Sequence, residues 1–173
     1  MAISLYDATV ANYIQTTTAV AGFLDRGLSH CTDNGVDPAS LVETRLFDDM
    51  LPLRFQVMVV RHHSVGAIQG AKAGVFAPPA DKPPQDYAGL QALIAETLVA
   101  LKAIGRDEVD ALQGRDVVFE TRGFSMPFTA ENFLFSFSLP NFYFHAATAY
   151  DILRSKGVPL GKRDFMGPVR IKA

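Results

Sequence analysis

The chain has one cysteine, no tryptophan, only four histidines and almost no net charge, −2 over 173 residues. Each scarcity excludes something. A lone Cys31 rules out an internal disulfide and fits a reducing compartment, so a cytoplasmic location is expected. The near-balance of charge leaves no broad field for nucleic acid or an anionic membrane surface. No apolar run reaches the eighteen or so residues of a membrane span. The opening MAISLYDATV lacks a basic segment followed by an apolar one, so no secretory leader is expected. Ser-His-Asp arrangements, CxxC pairs and dinucleotide-binding glycine fingerprints are also missing.

What is present is apolar and helical in period. Hydrophobic residues make up 49% of the chain and charged residues 20%, the balance of one domain (residues 1–173) with a sizeable core. Ile3, Tyr6, Val10, Tyr13, Thr17, Val20 and Leu24 alternate by three and four, with Ser4 or Asp7 near the start and Asp33-Asn34-Gly35 as the stop. A second helix begins near Pro52. Leu51, Phe55, Met58, His62 and Val65 fall on one of its faces, while Val57, Val60 and Ile68 fall on the other. A helix apolar on both sides is usually covered twice, by a subunit interface or by packing under a loop.

GVFAPPADKPPQDY reads as a crossover loop. A third helix carries Tyr87, Leu90, Ile94, Leu98, Leu101 and Ile104, with Gly105 as its C-cap. RDVVFETRGFSMPFTA changes to a period of two across Arg122-Gly123, the pattern of a short β-hairpin. The last helix starts at Thr129, is kinked or restarted at Pro140, and stops at Gly157. The fold class expected is therefore all-α: a four-helix bundle with a short hairpin before the last helix.

The polar residues of the apolar faces are the candidate site. On a regular helical wheel Leu134, Asn141, His145, Thr148 and Ile152 lie within about 40° of one line. Asn141 and His145 then project from the middle of a buried face, flanked by Phe144. His62 does the same on the second helix, among Phe55, Met58, Val59 and Val65, with His63 nearer the edge. Tyr6 and Tyr13, on the inner seam, are candidates to hydrogen-bond these groups. A buried imidazole needs a partner. Three readings are open: a structural His-Asn or His-Tyr cluster, a weak divalent-metal site (zinc, nickel or manganese), or a dry pocket for a small ligand. Asn is a poor ligand for such metals, and catalytic zinc usually has three protein ligands.

Weaker signals have plainer explanations. His30 and Cys31 are neighbours and do not face each other on a helix. GVPLGKRDF lacks the phosphate-loop spacing and reads as a tail folding back, anchored by Phe165. Asp48-Asp49 suits a helix start. Arg54 and Arg61 read as a solvated or interface stripe.

SLYDATV, FDDMLPLRFQV and above all LPNFYFHAATAYDILRSKGVPLGKRDFMG carry a resemblance over nearly the whole chain. The chain resembles the DinB-like (YfiT-type) four-helix proteins, in a bacterial branch catalogued as a domain of unknown function. The resemblance implies an up-down-down-up bundle, often a homodimer, here through the second helix. It also implies a divalent ion held by a second-helix His and an HxxxH pair on the last helix. Here that pair reads NxxxH, with Asn141 in the first place and His145 in the second, and His62 or His63 available on the second helix. Two functions follow: a non-catalytic or degenerate bundle with a polar pocket, or a metal-dependent thiol transferase or hydrolase using His62 and His145 with Asn141 or water.

Overall fold

The structure, a computed structural model, describes residues 3–172; Met1, Ala2 and Ala173 lie outside the described residues. Most of the chain is helical, and the rest includes a small three-stranded sheet.

Ser4 accepts the Asp7 amide and caps a single turn, Leu5–Ala8. The first long helix, Val10–Asn34, follows and ends on Gly35 in the left-handed conformation, as the Asp-Asn-Gly signal implies. The second helix runs from Leu53–Arg61 through a π turn, His62–Gly66, into Ala67–Ala73. The third is Tyr87–Lys102. Gly105 does not cap it; its N–H meets Glu108 and starts a short helix, Arg106–Asp110. The last helix begins at Ala130–Asn132 with Thr129 as N-cap, passes through a second π turn, Phe133–Ser138, and continues as Leu139–Ser155. Pro140 thus sits in the first turn of the restarted α segment, where its missing N–H is harmless.

Contacts along the helices give their directions. The first and last helices run parallel: Tyr13 meets Phe142, and Phe23 meets Tyr150. The third is antiparallel to the first, since Tyr87 lies against Gly27 and, one turn on, Gln91 bonds Asp25. The second is antiparallel to the last, pairing Gln56 with His145 and the His63 carbonyl with Ser138. The first helix packs on the third and the last, and the second does the same. Leu24, Phe23, Leu53, Ile94, Leu134 and Phe142 are fully buried between them. By area bookkeeping each such side chain contributes about 1.5–3 kcal/mol.

The sheet departs from expectation. β2 (Asp116–Thr121) and β3 (Phe124–Thr129) pair antiparallel, but a third strand, β1 (Val75–Phe76), lies parallel to β2 on its other side. The loop expected after the second helix supplies it. Gly74, with φ +77°, turns the chain out of the helix and into β1. Phe76 then lies back on the helix, so close to Gly70 that a Cβ there would meet its ring at 2.8 Å.

Two further expectations change. Val57, Val60 and Ile68, the second apolar face of the second helix, are buried within this chain. Neighbouring helices and the sheet cover that face, so no second subunit is needed to do so. Asn141 and His145 are only partly buried, at the rim of their helix, while Phe142, Ala146 and Ala149 hold the centre. The π turn is the reason. It takes up one extra residue, so the line through Leu134 passes to Phe142 and not to Asn141. The tail folds back as expected: Phe165 packs edge-on against Tyr150, and Gln15 bonds the Met166 carbonyl.

Candidate functional site

The two π turns lie side by side. Tyr13, fully buried, shares a hydrogen bond with Ser138 at 3.0 Å, and Ser138 donates to the His63 carbonyl at 2.8 Å. Ser138 thus reaches a backbone carbonyl inside the other π turn. The turn on the second helix also exchanges the expected roles of its histidines. His63 is 7% exposed and faces the core side, whereas His62 is half-buried.

Beside this junction is a cleft of about 200 Å³. His62, His63, Asn141 and His145 all line it, with Phe55, Phe76, Phe119 and Phe137 as apolar wall. Pro78 and Pro79, just after β1, close one side. Phe76 stacks on His62 with ring centres 4.5 Å apart and is 5.3 Å from His63.

The polar groups are fixed to different degrees. His145 Nδ1 is 2.6 Å from the Gln56 side-chain oxygen. Gln56 is almost wholly buried and donates its amide to the Leu51 carbonyl, which sets its orientation. Its oxygen is therefore an acceptor, His145 Nδ1 carries the proton, and Nε2 holds the lone pair. Asn141 donates to the Phe137 carbonyl at 2.7 Å, leaving its side-chain oxygen as acceptor. His63 Nδ1 and His62 Nε2 are buried without a partner.

Burial holds all three rings neutral. It pushes His63 down to about 3, with His62 and His145 nearby adding to the effect, and His145 down to about 4. His62 is lowered for the same reason, opposed by the backbone of Ala77 and the charge of Asp81.

The remaining expected residues are placed unevenly. Tyr6 is elsewhere: its N–H bonds Asp110, and Arg106 lies 4.6 Å over its ring. Tyr13 reaches the site only through Ser138. Met58 lines an adjoining groove with Arg61, His62 and Asp81. Phe144 is 56% exposed, edge-on to His145, and Thr148 bonds its own helix at the Phe144 carbonyl. Sequence reasoning missed Gln56, Ser138, Phe76 and Phe119. Gln56 had a legible signal, a single amide between the two apolar faces of a helix. The strand residues had none, since their approach depends on the β1–β2 pairing.

Neutral imidazoles suit a divalent metal, and His145 with its Nδ1 proton held has the geometry of an oriented ligand. The set is nonetheless incomplete. Among the described residues no three His, Cys, Asp or Glu side chains gather closely enough to hold an ion.

A family model described as a domain of unknown function, DUF1993, matches residues 5–166. A crystal structure of a DinB family member protein from Shewanella denitrificans is similar over 98% of this chain and 95% of that one, with a TM-score of 0.81 at 26% identity. No curated protein matches the chain.

Proposed function

The chain belongs to the DUF1993 family, a domain of unknown function, and on that premise we propose a non-catalytic DinB-like bundle whose His/Asn cleft takes up a small molecule. Its helices are read as the four members of an up-down-down-up bundle with the sheet as an added wall. The observation that carries the reading is the pair of unpartnered nitrogens, His63 Nδ1 and His62 Nε2, beside a cleft walled by aromatic rings. A buried polar atom without a partner is unfavourable by about 1–3 kcal/mol, and a ligand or water reaching it would relieve that. Concave, mostly apolar sites with a few oriented polar groups are the usual form of small-molecule pockets. The test is a fragment screen read by imidazole nitrogen NMR. Fragments that shift the His62, His63 and His145 signals together support a pocket; no perturbation at millimolar fragment would leave a purely structural cluster.

A second reading, a divalent-metal-dependent enzyme using His62 and His145 with Asn141 or water, is favoured by one observation, the Gln56 contact that leaves His145 Nε2 unprotonated. The residues present do not complete a ligand set, so no reaction step is derived through a metal. Metal content of untagged protein, with zinc, nickel and manganese titrated against wild type and His145→Ala, tests it. Near one ion per chain, lost in the variant, would establish the metal reading.

A homodimer stays part of the proposal, though it has to use surface other than Val57 and Val60. Among the described residues no helix is long and apolar enough to cross a membrane. The cytoplasmic reading rests on the single, buried Cys31.

A further inference from the structure

Two of the cleft's polar groups are of one kind. His145 presents the Nε2 lone pair because Gln56 holds its Nδ1 proton, and Asn141 presents an oxygen because its amide is committed to the Phe137 carbonyl. Both are acceptors, and they lie one helical turn apart on the same helix, so both address one end of a ligand. None of the cleft-lining residues is Lys or Arg, so a carboxylate or phosphate would find no cation there. In the adjoining groove Arg61 already stands 3.9 Å from Glu96, and Asp81 adds an acidic group near His62. The opposite walls are phenylalanine side chains, whose ring faces attract cations as well as apolar surface.

We infer that the cleft takes a small organic amine in its ammonium form, its N–H donors bonded to His145 Nε2 and Asn141 Oδ1 and its apolar or aromatic body among Phe55, Phe76, Phe119 and Phe137. Neutral rings favour this pairing, since a protonated imidazole would repel the ammonium and offer it no lone pair. The inference rests on the small-molecule reading above and narrows it to one ligand chemistry.

Benzylamine, benzyl alcohol and benzoate share a ring and differ in the polar end. Titrated against the full chain at neutral pH, benzylamine is expected to bind at least about tenfold tighter than benzyl alcohol, with benzoate weakest. Its binding should shift the His145 Nε2 resonance. Asn141→Leu and His145→Leu should each remove most of the amine's advantage over benzyl alcohol. Either variant that fails to fold is replaced by Asn141→Asp, which adds a negative charge and should strengthen benzylamine binding. Benzyl alcohol or benzoate binding as well as benzylamine at the cleft would overturn the amine inference and leave a pocket. No binding by any of the three would overturn both.

Discussion

Ser138, in the π turn of the last helix, donates its hydroxyl to the backbone carbonyl of His63, in the π turn of the second, at 2.8 Å. The two irregular turns are thus joined at one bond, and Tyr13 from the first helix completes the link. Replacing Ser138 by Ala removes the hydroxyl that bonds both the His63 carbonyl and the buried Tyr13 phenol. Loss of stability of about 1–3 kcal/mol is expected in urea unfolding. Tyr13→Phe should lose about 1 kcal/mol, and the double variant should show coupling because the groups share one network. Strict additivity would mean that the three helices are not joined here.

Gln56 governs which nitrogen of His145 is protonated. In Gln56→Leu the Nδ1 proton loses its acceptor. Nitrogen NMR of wild type should show one predominant tautomer, protonated at Nδ1, and the variant should show a mixture. A single unchanged tautomer in both would remove Gln56 as the cause.

Stability should fall in mild acid. His63 and His145 are held neutral in the folded chain, near 3 and 4, against about 6.5 when unfolded. Above pH 6.5 neither state binds a proton at these rings and they add no pH dependence. Between pH 6.5 and 4 only the unfolded chain binds them, so stability decreases as pH falls, by on the order of 3 kcal/mol from His145 alone. His63 extends the decline toward pH 3. Urea midpoints measured from pH 7.5 to 4.5 check this, and His145→Phe should flatten the curve. An equal slope in that variant would assign the acid sensitivity elsewhere.

Gly27 of the first helix lies directly under the Tyr87 side chain of the third. A Cβ there would meet the Tyr87 hydroxyl oxygen at 2.2 Å. Gly27→Ala has to displace Tyr87 from its bond to the Leu24 carbonyl, despite Ala's better helix propensity. A net loss of about 1–3 kcal/mol is expected in thermal or urea unfolding. Tyr87→Phe together with Gly27→Ala should recover part of it.

Val57→Glu and Val60→Glu should unfold the chain and not merely separate subunits, because both side chains are fully buried inside it. A folded monomer, by circular dichroism and sedimentation, would restore the subunit-seam reading of that face.

The helices were legible because their caps and stops are local. Ser4, Gly35, Pro52, Thr129 and Gly157 each act within a turn of where they stand. The histidine cluster was legible in composition and illegible in orientation. A wheel assumes a constant 100° per residue, and the π turns at His62–Gly66 and Phe133–Ser138 break that constancy within the site. His63 therefore replaced His62 at the core side, and Asn141 and His145 moved from the centre of a buried face to a cleft rim. The parallel strand was illegible because Val75 pairs with Val118, a partner that no local pattern identifies.

That strand has a kinetic consequence. β1 is two residues long and joins β2 chiefly through backbone bonds, one of them from Val118 N–H to the Gly74 carbonyl. Phe76, its second residue, and Pro78 and Pro79 just beyond form the cleft wall. Breaking so short a pairing disturbs none of the helical ladders, and opening mainly has to withdraw the buried Phe76 ring, so the wall can open as a unit at a free energy below that of global unfolding. The Val118 amide should exchange with deuterium far sooner than amides in the middle of the first helix. Entry to the cleft would then be timed by the sheet while the helices stay packed.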